Sequence, residues 1–138
     1  MKNLRYALVA FSVLFIATAA HAQTSRVAAS IPFNFVVGDH DYPAGDYLFA
    51  NNGVVLQITN TQNAAPKTMI LSQPCEKLTA PTQTKVVFER MGGSYFLQQI
   101  WVAGESRGRE LPKSKSELRL AQNHEKSDTV IVAANIVK

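Results

Sequence analysis

The chain has 138 residues, of which 46% are hydrophobic and 17% charged, with a formal charge of +4. That length fits one domain. The balance excludes a disordered chain, a coiled coil, a multidomain enzyme and a polybasic nucleic-acid binder.

The first segment reads as an address. Lys2 and Arg5 form a positive start, residues 6–20 are apolar apart from Ser12 and Thr18, and Ala20-His21-Ala22 is a small-x-small cleavage site before Gln23. That order is the secretory leader pattern. The apolar run is shorter than the roughly 20 residues a membrane-spanning helix needs. No cysteine follows the cleavage site, which argues against a lipoprotein, and no later stretch is long and apolar enough to span a bilayer. The expectation is a leader over 1–22 and a single β-rich domain over 23–138, soluble in a periplasm or the medium after cleavage following Ala22. Removing the leader takes two of the 14 basic residues and none of the 10 acids, leaving 116 residues with a formal charge of +2.

Residues 23–28 read as a frayed start. Ile31, Phe33, Phe35 and Val37 then alternate with Ser30, Pro32, Asn34 and Val36, the period of a strand with one buried face. Pro32 cannot donate to a ladder, so this strand starts there or lies on an edge. Gly38 to Asp41 breaks it, and Pro43-Ala44-Gly45 reads as a turn. Tyr47 to Phe49 forms a second strand. Asn51-Asn52-Gly53 signals a hairpin into a third strand over Val54 to Thr59. Thr68 to Leu71 is a short fourth strand, and Gln73 to Thr82 is a loop with Pro74 and Pro81. Lys85 to Arg90 alternates again, Gly92-Gly93 is a tight turn, and Ser94 to Ala103 is the longest strand. In it Tyr95, Leu97 and Trp101 share one parity, with Phe96, Ile100 and Val102 on the other. Thr129 to Val137 is the last strand.

One segment departs from this pattern. Ser114-Lys115-Ser116-Glu117 has the S-x-x-E form of a capping box. The following Leu118 to Gln122 are fair helix formers, which predicts two to three helical turns ending near Asn123, with Leu118 and Ala121 on one face. The fold class expected is all-β and mainly antiparallel: a small sandwich or barrel of about seven strands with one short helix before the last strand.

No catalytic constellation stands out, and no catalytic residue, metal ligand or cofactor is assigned. Asp39-His40-Asp41, with Asp46 nearby, is the most ligand-like cluster, yet acids at a turn also bond their own backbone. Cys75 is the sole cysteine, so an internal disulfide is impossible, and burial of the thiol is its plain reading. A nucleophilic role would need His40 or His124 beside it. Glu89, Glu105, Glu110 and Glu117 are the candidates for a carboxylate pair of the glycosidase kind. The positive charge is concentrated: Arg107, Arg109, Lys113, Lys115 and Arg119 are five of the 12 basic residues beyond the leader. They precede and enter the predicted helix. Arginine forks and helix N-termini both favour anions. Trp101, Arg107, Arg109, Lys113 and Lys115 are therefore the candidate ligand site, with an anionic glycan or an envelope protein as partner and no nucleic acid.

Four stretches together resemble a known group of proteins. They are Ile31-Pro32-Phe33-x-Phe35-x-Val37-Gly38; Pro43-Ala44-Gly45-x-Tyr47; Tyr95-Phe96-Leu97-x-x-x-Trp101-x-Ala103-Gly104; and Gly108-Arg109-Glu110-Leu111-Pro112-x-Ser114-Lys115-x-Glu117. This set is similar to that of a group of short secreted bacterial proteins of uncharacterised activity. The resemblance implies an exported β-rich domain and carries over no functional residue. Three functions follow as expectations. The first is a non-enzymatic exported domain that binds a surface, glycan or protein. The alternatives are a small exported hydrolase, and an envelope subunit assembled by strand addition at the Pro32 strand or the C-terminal strand.

Overall fold

Alternation of apolar and polar residues builds most of the molecule. The computed structural model describes residues 24–63 and 67–137, so the leader lies outside the described residues. The strands are β1 (Arg26–Ile31), β2 (Phe35–Val37), β3 (His40–Tyr42), β4 (Gly45–Asn52), β5 (Val55–Asn60), β6 (Thr68–Leu71), β7 (Gln73–Glu76), β8 (Lys85–Met91), β9 (Ser94–Trp101) and β10 (Arg107–Glu110). Helix α1 (Lys115–Gln122) follows, then β11 (Ser127–Ala133) and β12 (Asn135–Val137).

Two mainly antiparallel sheets result. One has the order β12-β1-β4-β5-β6, the other β11-β8-β9-β10-β7, with the β2-β3 hairpin joined to β9 through a parallel pairing of Val36 with Phe96. Along most strands every second residue faces the space between them. Val27, Ile31, Tyr47, Phe49, Leu56 and Ile58 come from the first sheet and Phe35, Val37, Val86, Phe88, Leu97 and Ile100 from the second, all buried in one cluster. The sandwich, with one short helix among the described residues placed before the last strands, matches the fold class expected.

The chain crosses between the sheets at four short bends. Pro32 to Asn34 joins β1 to β2, Pro43 and Ala44 join β3 to β4, Ser72 joins β6 to β7, and Ala134 joins β11 to β12. Strands that switch sheets through bends make the corners of a sandwich. This corrects several expectations. The run from Ile31 to Val37 is two strands in two sheets, because Pro32 ends the first. β1 begins at Arg26 rather than after a frayed start, and it is internal, flanked by β12 and β4. The C-terminal strand is likewise two, bent at Ala134. The stretch after Leu71 contains β7, paired with β10, and neither alternates hydrophobics in a way that marks a strand.

The corners are held by specific polar groups. Arg109 donates from Nε to Ser72 Oγ at 3.1 Å, and from Nη2 to the Ser72 carbonyl at 2.6 Å and Oγ at 2.8 Å. Thr84 Oγ1 accepts from the Ala103 N–H at 3.0 Å, while its carbonyl accepts from the Ala134 N–H at 3.0 Å. A bend breaks the ladder, and these contacts satisfy backbone groups that it frees.

Two turns carry local signals. The β4-β5 hairpin pairs Asn52 with Val55, so Gly53 and Val54 are its central residues, and only Gly53 has positive φ, at 71°. The turn is one residue later than Asn-Gly suggests, and glycine at the first central position suits the type II′ geometry. In β9 the register shifts opposite Val87/Phe88, so Phe88 pairs with Leu97 and Val87 with Gln99. The extra residue is Gln98, a β-bulge. It places Tyr95, Leu97, Ile100 and Val102 toward the core, and Phe96, Gln98, Gln99 and Trp101 on the outer face. The parity expected for this strand therefore breaks in its middle.

Helix α1 lies on that outer face. Ser114 caps it, with its Oγ accepting from the Glu117 N–H at 3.1 Å while the Glu117 carboxyl accepts from the Ser114 N–H at 3.3 Å. The capping box is present as predicted. The docked face is a different one: Ser114 and Glu117 are buried and Leu120 is half-buried, whereas Leu118 and Ala121 are exposed. Gly92 leaves room for Leu120, whose Cδ2 would lie 3.0 Å from a Cβ there.

Candidate functional site: a cleft between the sheets

One end of the sandwich is filled and the other is open. Phe33, Phe35, Tyr42, Tyr47, Phe88 and Tyr95 form a continuous aromatic cluster, with Phe33 stacked on Tyr95 at 3.9 Å and Phe35 edge-on to Tyr47 at 5.0 Å. These residues lie at the Gly45 end of β4 and the Ser94 end of β9. At the opposite ends of the same strands the sheets part around a cavity of about 260 Å³. Its floor is apolar: Val27, Phe49 and Leu56 from one sheet, Ile100 and Val102 from the other. Its rim is polar, formed by Ser25, Asn51, Glu105, Arg107 and Arg109.

Strand geometry explains which residues reach it. Arg109 pairs with Ile100 on one side and Pro74 on the other, so it shares the inward face with them. Arg107 is two residues earlier on that face. Its Nε meets Glu76 Oε1 at 2.8 Å, in a pair whose side chains are 78% and 66% exposed. Arg109 is half-buried, and its Nη1 makes no hydrogen bond among the described residues. Asn51 continues the inward row of Tyr47 and Phe49. Its Oδ1 is buried without a donor among the described residues.

The residues singled out from the sequence thus divide. Arg107 and Arg109 come together at the cleft. Trp101 does not: it faces the other side of the sheet and is 1% exposed. There its Nε1 donates to Gln99 Oε1 at 2.9 Å, and Lys77 Nζ lies 4.4 Å from the ring centroid. Gly108 presses on it, since a Cβ at that position would sit 2.7 Å from the indole. Lys113 also points elsewhere, 3.8 Å from Glu89 and 3.9 Å from Glu117. Lys115 is exposed on the first turn of α1. The five residues proposed as one site therefore occupy at least two, because alternation on β10 and the bulge in β9 send neighbours to opposite faces.

Of the groups considered for catalysis, Glu105 lines the cleft and the others do not join it there. Glu89 and Glu117 do pair, next to Lys113 and with Gln98 Nε2 donating to Glu117. Burial pushes the Glu117 carboxyl above its ordinary value and Glu89 adds to the rise, against the opposing pull of Gln98, Ser114 and Lys113. Glu117 is 2% exposed beneath the helix, so substrate has no path to it. Cys75 is half-buried on the outward face of β7, where burial first and Glu110 second raise its thiol. That is the opposite of nucleophile activation. His40 and His124 are both exposed, His40 in β3 and His124 just after α1. Asp46 accepts from Gln62 Nε2 at 2.8 Å, and among the described residues no three His, Cys, Asp or Glu side chains gather as a metal site.

Sequence reasoning missed Asn51, Val27, Phe49, Ile100 and Val102 as cleft residues. The available signal was parity: Asn51 is a polar residue at the next inward position after two buried aromatics. Comparisons with protein-family models, with curated proteins and with solved structures find no match to this chain. The chemistry of the cleft is then the ground on which a function stands.

Proposed function

We propose that this chain is an exported, non-enzymatic binding domain whose ligand enters the cleft between the sheets at the Arg107 end. Export is supported by the leader pattern over residues 1–22. Binding is supported by one observation above all: an apolar floor with a few polar groups at its rim, which is how small-molecule sites are built. The separate placement of Cys75, His40, His124 and the Glu89–Glu117 pair favours binding over hydrolysis. A ligand of this site is a small molecule or the end group of a larger partner, such as a sugar acid or a peptide terminus.

The test uses residues 23–138 labelled for amide NMR. Short phenyl-bearing acids, alcohols and amines are titrated in turn. Any probe that binds is expected to move the amide signals of Val27, Asn51, Val102 and Gly108, and to lose affinity in Val102→Trp, which fills part of the cavity from its apolar floor. If no probe moves those signals, the cleft is not a binding site.

A further inference from the structure

We infer that the cleft selects an anionic amphiphile with a hydrogen-bond donor beside its acid group, of the kind represented by an aryl or branched-alkyl hydroxy acid. This rests on the reading of the cleft as a binding site and adds the class of ligand. Three features of the lining carry it.

The first is size. About 260 Å³ exceeds the roughly 150 Å³ that holds a benzene ring in an apolar protein cavity. The space suits one ring or branched chain with a short substituted tail, and the floor of Val27, Phe49, Leu56, Ile100 and Val102 offers that group only apolar contacts.

The second is the arginine pair. Arg109 lines the cleft and is fixed in place by its bonds to Ser72, so its guanidinium has little conformational freedom left to lose. Arg107 is committed only to an exposed pair with Glu76. Such exposed pairs contribute little, so an incoming carboxylate competes readily for that guanidinium. Glu105 also stands at the rim, on an exposed loop. Water screens it more than it screens the half-buried Arg109, which leaves the inner part of the cleft electropositive.

The third is Asn51. Its buried Oδ1 lacks a donor. A buried acceptor left unsatisfied is costly, and a small turn of the Asn51 side chain toward a ligand hydroxyl or amide N–H in the cleft it lines relieves that cost. A plain carboxylate has no donor to offer. A hydroxyl next to the acid supplies one.

The experiment compares three probes on residues 23–138 by amide NMR and calorimetry: 3-phenyllactate, 3-phenylpropionate and 3-phenylpropane-1,2-diol. Phenyllactate is expected to bind most tightly. The diol, which keeps the ring and hydroxyl and lacks the charge, should bind about tenfold more weakly. Phenylpropionate, which lacks the donor, should fall between them. Arg107→Gln should weaken the two acids severalfold, flatten their salt dependence and leave the diol unchanged. Asn51→Leu should erase the advantage of phenyllactate over phenylpropionate. The inference is overturned if the diol binds within twofold of the acids, or if the acids bind without salt dependence; the cleft itself then still binds. Absence of any shift with all three probes overturns both the inference and the binding reading beneath it.

Discussion

Gly108 is the residue on which two sites meet. On one side its backbone continues the Arg107–Arg109 row into the cleft, and on the other it lies flat against Trp101. A Cβ there would come within 2.7 Å of the indole and 2.8 Å of the Ile100 carbonyl. Neither yields easily, since Trp101 is packed under Lys77 and the carbonyl belongs to the β9 ladder. Gly108→Ala is therefore expected to cost about 1–3 kcal/mol, read as a lowered urea midpoint. Such a glycine is also where sequence reasoning reaches its limit. Arg107 and Arg109 stood out in the sequence as part of a basic run before the helix, whereas the strand that puts them on one face, β10, carries no apolar alternation to announce it. Trp101 was grouped with them because it is near in sequence. The parity of β9 was unreadable because a one-residue bulge has no sequence mark, and Gln98 looks like any other polar residue of a half-buried strand.

At the scale of elements, helix α1 shows how a well-predicted start can dock on an unforeseen face. Its capping box was plain in Ser114 and Glu117. An apolar pair normally decides which side is buried, and Leu118 with Ala121 was the obvious choice. Here Glu117 decides, because its carboxyl satisfies both the cap and Gln98 of β9. The consequence is a pH dependence. The folded state holds the Glu117 proton above its ordinary value of 4.5. Its contribution to stability is then complete below about 4.5 and declines as pH rises through the folded value. Urea midpoints should fall from pH 4 toward neutrality, and in Glu117→Gln that fall should be reduced. Glutamine still serves a capping box and carries no proton to lose. A variant with the same slope as the parent would place the titration elsewhere. The strands were legible to different degrees for a related reason. β4, β5 and β8 bury one face and alternate cleanly, whereas β7 and β10 are short, polar and held by Arg109 and Ser72 rather than by apolar contacts.

For the molecule as a whole, the fold class followed from composition and period, while the path of the chain did not. Nothing in a β pattern announces that a strand will change sheets: Pro32 and Pro43 mark breaks without saying which sheet comes next, and Ser72 and Ala134 are ordinary residues at bends. One result of those bends is that β12 returns to lie beside β1, with Arg26 opposite Val137 and Ala28 opposite Asn135. Removing residues 135–137 should uncover one edge of β1 and lower the melting temperature by about 4–10 °C, equivalent to about 1–2 kcal/mol. An unchanged melt would show that the pairing contributes nothing. The same pairing sets an order in time. β1 leaves the ribosome well before β12, its neighbour on one side. The first sheet cannot be completed until β12 has been made, and such distant partners slow folding by topology alone. For a protein proposed to be exported, such a late-closing sheet favours a chain that stays open until its distant partner arrives.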